Sequence, residues 1–147
     1  MNGFKQNCLD GEQIGEDFII NNIEMIDVID PEFCKFKYLK FRLDNSTVWL
    51  DVYGFKVGNW GLIPDGNEWQ LYHITEGKLI SFLEFTLANG LKGLKILVAL
   101  FGDDFTMPPM GTEAYAKAYR QAYKFERYCM DELCTRSCLY FDDDDED

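Results

Sequence analysis

Alternation of apolar and polar positions is strongest from Phe36 to Tyr53, FKYLKFRLDNSTVWLDVY. Two alternating runs flank Asp44-Asn45-Ser46-Thr47, residues that favour turns. The pattern predicts a β-hairpin. With Asn45 and Ser46 as its loop, Leu43 faces Val48, Phe41 faces Leu50 and Leu39 faces Val52. All three pairs are apolar and share one face, because side chains alternate along a strand. The other face pairs Arg42 with Trp49, Lys40 with Asp51 and Tyr38 with Tyr53. Cross-strand pairs of these kinds are worth roughly 0.2–1 kcal/mol each. A one-residue slip would mix the two faces, so the pattern itself argues for this register. The apolar face is assigned to a core. The second face, Phe36, Tyr38, Lys40, Arg42, Trp49 and Tyr53, either meets a ligand or lies under another part of the chain.

Around the hairpin the signals are shorter. Residues 1–16 are polar and glycine-bearing, and read as a loose arm. Asp17 to Ile29, DFIINNIEMIDVI, reads as a strand whose alternation breaks near Met25-Ile26. Lys56 to Asn67 is rich in turn residues and reads as a long loop. Glu68 to Ile74 is a short strand with Trp69, Leu71 and His73 on one face. Thr75 is placed to cap a helix from Glu76 to about Ala88, with Leu79, Phe82, Leu83 and Leu87 at helical spacing and Asn89-Gly90 as its stop. Leu94 to Phe101 is bounded by glycines and reads as a buried strand, with a short helix as the alternative. Thr112 to about Leu133 is the clearest helix, with Thr112 as its cap and Glu113 in its first turn. The expected fold class is α+β. Its antiparallel sheet is either open or closed into an OB-like barrel, with one middle helix and one long C-terminal helix. A single domain over 17–138 is expected, followed by an acidic tail at 139–147.

Charge changes the picture. The 147 residues carry a net charge of −12, and the six carboxylates from Asp142 to Asp147 supply half of it. An acidic body repels bulk nucleic acid and anionic membrane, so any such binding must be local. The longest apolar run is far too short to span a bilayer, and MNGFKQN lacks an apolar signal core. The expected location is the cytoplasm, of a cell or of a virus-infected host. The odd count of five cysteines and their spacing do not suggest a disulfide framework.

Four groups could carry chemistry. Basic residues interleaved with aromatics, as on the hairpin face, suit single-stranded nucleic acid: rings stack bases and cations take phosphates. On the last helix Lys117, Arg120, Lys124 and Arg127 form one basic stripe, with Tyr115, Tyr119 and Tyr123 beside it. That stripe either contacts phosphates, stays a solvated face, or docks the acidic tail. Cys129, Cys134 and Cys138 lack the tight C-x2-C pairs of zinc sites and are expected to hold no metal. The single histidine, His73, excludes a two-histidine mechanism and reads as a core or edge residue. Asp27, Asp30, Asp103 and Asp104 have no metal-selective spacing. No G-x-S-x-G, P-loop or H-E-x-x-H occurs, so no enzyme activity and no cofactor are expected.

A β-rich body, a basic-aromatic hairpin (FKYLKFR and VWLDVY) and a terminal acidic run (YFDDDDED) together resemble a phage-type single-stranded DNA-binding protein with an OB-like barrel. The resemblance implies a strand face that stacks bases. It also implies that Asp142, Asp143, Asp144, Asp145, Glu146 and Asp147 compete with the nucleic acid or recruit a partner. The leading expectation is therefore non-enzymatic single-strand binding through the hairpin face. Its rival is an acidic inhibitor, such as a nucleic-acid mimic, immunity or anti-defence protein, bound to a basic groove of a target protein.

Overall fold

A computed structural model describes residues 16–77, 83–133 and 136–137. Two short helices, α1 (Glu16–Asn21) and α2 (Ile23–Val28), come first. Four strands follow: β1 (Glu32–Phe41), β2 (Thr47–Val57), β3 (Trp60–Asp65) and β4 (Glu68–His73). They pair antiparallel in chain order, as a four-stranded meander that does not close into a barrel. Next come β5 (Leu83–Glu84), α3 (Leu87–Phe101), α4 (Glu113–Glu132) and β6 (Arg136–Ser137), which pairs with β5. The fold is α+β, with an open sheet and two principal helices behind it.

The segment 17–29, expected to be a strand, is helical, and 94–101 takes its helical alternative, which together remove the strands a barrel would need. In 17–29 the isoleucines at 19, 23 and 26 recur at helical spacing, and Ile26 is buried. Asn22 interrupts the helix at φ −121°, ψ 17°, and its side-chain amide donates to the Phe18 carbonyl at 2.8 Å. The break in alternation is thus a helical period. Gly90, expected to stop the preceding helix, and Gly93, expected to bound 94–101, both lie inside α3, facing the sheet, while Gly102 does end it. A Cβ on Gly90 would come within 2.9 Å of Leu62, so these glycines let the helix approach β3 and β4 closely. Thr86, not Thr75, caps α3 by accepting from the Asn89 N–H at 3.2 Å. The expected helix at 76–88 is absent where the chain is described: Gly77 has φ +86°, and 83–84 is β5. Leu79 and Phe82 lie outside the described residues. The expected loop at 56–67 instead holds the end of β2, a turn and β3. Its Pro64 is tolerated because β2 pairs with β3 only as far as Leu62. The long terminal helix is present, with the Thr112 hydroxyl accepting from the Tyr115 N–H at 3.1 Å.

The sheet separates two cores. On one face Trp60, Leu62, Trp69 and Leu71 meet Leu94, Leu97 and Val98 of α3 and Phe125 and Cys129 of α4. On the other, Phe36 and Tyr38 of β1 reach across Val52 to Ile63, Tyr72 and Ile74. For β1 to contact residues of β3 and β4 on the same face, the sheet must curl. Glycines make the space: a Cβ on Gly54 would lie 2.5 Å from the Leu62 carbonyl oxygen and one on Gly61 3.2 Å from the Phe36 ring. Gly54→Ala should therefore destabilise the protein by about 1–3 kcal/mol, the usual cost of overpacking. Urea denaturation would measure it. An unchanged midpoint would show that β2 and β3 do not approach so closely.

Candidate functional site

The hairpin register differs from the expected one, and the difference reassigns its faces. Phe41 pairs with Thr47, Leu39 with Trp49, Lys37 with Asp51 and Lys35 with Tyr53. The loop is Leu43-Asp44-Asn45, closed by the Arg42 N–H donating to the Ser46 carbonyl at 2.8 Å. Asn45 takes a left-handed φ of 71°, as three-residue hairpin loops require. The Asp44 carboxylate accepts from the Ser46 N–H at 3.0 Å and from its hydroxyl at 2.6 Å. Those bonds hold its pKa below the usual carboxylate value. Relative to the expected pairing, each strand residue meets a partner three positions away. An odd shift exchanges faces on one strand only.

Phe36 and Tyr38, expected on the binding face, are buried on the inner face of the curl. Lys40 and Arg42 share the parity of that face and are exposed. Trp49 and Tyr53 stand on the opposite, convex face, 50 % and 61 % exposed. There they meet residues that the expected register had set aside or not reached: Phe33, Lys35, Lys37, Leu39 and Phe41. Phe33 is 57 % exposed and stacks on Tyr53 with ring centroids 6.3 Å apart. The rings continue inward from Phe33 to Phe55 at 5.1 Å and from Phe55 to Trp69 at 5.9 Å. The exposed rings are thus anchored to the main core. Lys37 bonds Asp51 at 2.9 Å, which lowers the pKa of that carboxyl. Lys35 adds to the field at Asp51. The convex face is aromatic and basic, but its residues are Phe33, Lys35, Lys37, Trp49 and Tyr53. A glimpse of this set was available in the sequence, since Leu43-Asp44-Asn45 is a good three-residue loop.

The basic stripe on α4 is interrupted. Lys117, Arg120 and Arg127 are exposed, whereas Lys124 is buried. Tyr115 stacks on Tyr119 at 6.2 Å, and the Arg127 guanidinium lies 5.9 Å from the Tyr123 ring centre. Cys129 is buried in the main core and Cys34 is half-buried on β1. Cys134, Cys138 and the tail residues Asp142 to Asp147 lie outside the described residues. No group of three His, Cys, Asp or Glu among the described residues could hold a metal ion.

His73 is fully buried, and it fastens a loop. Its Nε2 donates to the Phe105 carbonyl at 2.7 Å, while Nδ1 accepts the Glu76 N–H at 3.2 Å. The Glu76 carboxylate accepts from the Met107 N–H at 3.0 Å. An apolar groove lined by Ile19, Ile23, Ile26, Leu91 and Ile96 runs between α1, α2 and α3, with Asp27, Lys92 and Lys95 among its lining. No helix among the described residues is long and apolar enough to cross a membrane.

No family model matches the chain, and no curated protein or solved structure matches it either.

A carboxylate cluster lies at the other end of the sheet. Asp65 and Glu68 pair across the β3–β4 turn, and Glu84 of β5 hydrogen-bonds with both. Gln70 Nε2 donates to Glu84 at 3.2 Å. Burial, first, and then these two carboxyls push the Glu84 pKa up to about 7. Burial, first, and then the neighbouring Tyr38 and Asp65 also raise the Tyr72 pKa, to about 12. A raised folded pKa means that the native state holds the Glu84 proton more tightly than the unfolded chain. This contribution to stability is complete below the ordinary carboxyl value of 4.5 and is lost as pH rises through about 7. Glu84→Gln should therefore raise the Tm relative to wild type at pH 8 and change it little at pH 4.5. Thermal melts across that range would check it, and parallel pH curves for the two proteins would refute the shared-proton arrangement.

Proposed function

We propose that the protein binds single-stranded nucleic acid, without enzymatic activity, on the convex face of the β1–β2 hairpin. The observation that carries this reading is the row of half-exposed rings Phe33, Trp49 and Tyr53 beside Lys35 and Lys37. Exposed rings on a rigid strand face are stacking platforms, and adjacent lysines suit phosphates. Trp49 and Tyr53 lie four residues apart on one strand, about 13 Å at the usual strand rise, so they engage different bases. Phe33 and Phe55 tie the platform to the main core, so it is held in place before any ligand arrives. The acidic tail acts as a competitor for the same lysines or as a recruiting element, in the cytoplasm of a cell or an infected host. The net charge of −12 favours a second reading, an acidic inhibitor seated in the basic groove of a target protein.

Single-stranded oligonucleotides should quench the tryptophan fluorescence at low salt, with affinity falling as salt rises. Trp49→Ala should cost roughly 1–3 kcal/mol of binding, the usual worth of one base–aromatic stack. Lys35→Ala should weaken binding more than Lys40→Ala, which lies on the other face. An absence of binding by wild-type protein at low salt would end this reading and leave the inhibitor.

Truncation after Phe141 removes six carboxylates. On the nucleic-acid reading it should tighten oligonucleotide binding several-fold at low salt and change it little at high salt, where exposed charges are screened. Equal affinities at low salt would remove the competitor role.

A further inference from the structure

The hairpin is also an edge of the sheet, because the strand order begins with β1. The backbone groups of successive strand residues point to opposite sides. The Leu39 N–H points away from β2 and donates to the Ile74 carbonyl at 2.9 Å. The Arg42 N–H points the other way, across the hairpin to Ser46. The outward set is therefore Phe33, Lys35, Lys37 and Leu39. Ile74 closes this edge at Leu39. Nearer the start of β1, the outward N–H and C=O groups of Phe33, Lys35 and Lys37 have no partner among the described residues. Such an edge is a template for another strand, and lysines on it are a common way of keeping it unpaired.

We infer that this edge pairs with the same edge of a second copy of the chain when a bound polyanion neutralises its lysines, an inference that rests on the nucleic-acid reading above. A two-fold interface sets β1 antiparallel to itself. Centring the pair on Lys35 or Phe36 would put lysine directly opposite lysine, which is destabilising. Centring it on Cys34 instead puts Phe33 opposite Lys35 of the second copy, twice by symmetry. That register uses the outward groups of Phe33 and Lys35 and gives the Lys37 N–H the carbonyl of Pro31. Pro31 has no N–H of its own, so the ladder ends there.

The two convex faces then form one continuous platform, with Phe33 and Tyr53 of both copies at its centre. The two Lys35 side chains become diagonal neighbours across the seam, roughly 7 Å apart. Lys37 is already paired with Asp51, so Lys35 is the charge that keeps the edge open. Phosphates lying along the seam remove that repulsion. Strand binding and pairing therefore promote each other, as linkage requires.

Sedimentation of wild type and Lys35→Gln, with and without a thymidine oligonucleotide, tests this. Wild type should be monomeric at low salt and dimeric with the oligonucleotide. K35Q should dimerise without it, and added Phe33→Pro should restore the monomer by removing an outward N–H that β2 does not use. Cys34 and its symmetry mate form a non-hydrogen-bonded pair, with Cα atoms about 4.5 Å apart. That is within disulfide reach. Mild oxidation should therefore cross-link the dimer, and Cys34→Ser should abolish the cross-link. A K35Q protein that stays monomeric and gives no cross-link overturns edge pairing, whatever the oligonucleotide does. Wild type that binds the oligonucleotide only as a monomer overturns the coupling and leaves the binding reading intact. A K35Q dimer in a protein that binds no oligonucleotide supports edge pairing and sinks only the binding reading.

Discussion

The indole of Trp60 joins the sheet to the helical layer, and much of the molecule is arranged around that joint. Its N–H donates to the Gly102 carbonyl at the end of α3, at 2.9 Å, and the side chain is wholly buried. Phe101, Phe105 and His73 surround the ring with centroids 4.8 to 5.9 Å away. The adjacent Asn59 reinforces the joint, its N–H donating to the Asp103 carbonyl and its side-chain amide to the Phe105 carbonyl. A buried amide or indole N–H without a partner would cost roughly 1–3 kcal/mol. The tight bonds from Asn59, Trp60 and His73 to one short loop therefore hold α3 at a set height on β3 and β4.

Because that joint holds the β3–β4 half of the sheet, the β1–β2 half is free to differ. Its inner face packs into a second small core, with Phe36 and Tyr38 against Ile63 of β3, Tyr72 of β4 and Ile74 just beyond it. Among the described residues its convex face is covered only near Phe55 and Val57, where it meets the main core. The exposed rings are thus a product of topology: a ten-residue strand and its partner extend past the helices that cover the rest of the sheet.

The hairpin, the β4 strand, the Thr112-capped helix and the α+β class were legible in the sequence, because period and cap agreed at each. What failed did so for local reasons. Glycines were taken as boundaries at 90 and 93, whereas they are contact points between helix and sheet. Isoleucine-rich 17–29 has high strand propensity, yet packing at helical spacing prevailed, as tertiary context commonly does over propensity. Two loops of nearly equal sequence quality were possible at the hairpin tip. The Asp44–Ser46 bonds and the left-handed Asn45 favour the three-residue form. The candidate site was legible as a kind of surface and illegible as a list, since only Trp49 and Tyr53 belong to both versions of the platform.

The tip of the hairpin therefore holds an asymmetry between kinds of genetic change. Leu43 projects fully into solvent, so its side chain is open to replacement by almost any residue. The number of residues in the loop is not open in the same way. Adding or deleting one codon there would turn Phe36 and Tyr38 outward or Trp49 and Tyr53 inward. Lineages descended from this chain should accumulate substitutions at the tip freely while conserving its length.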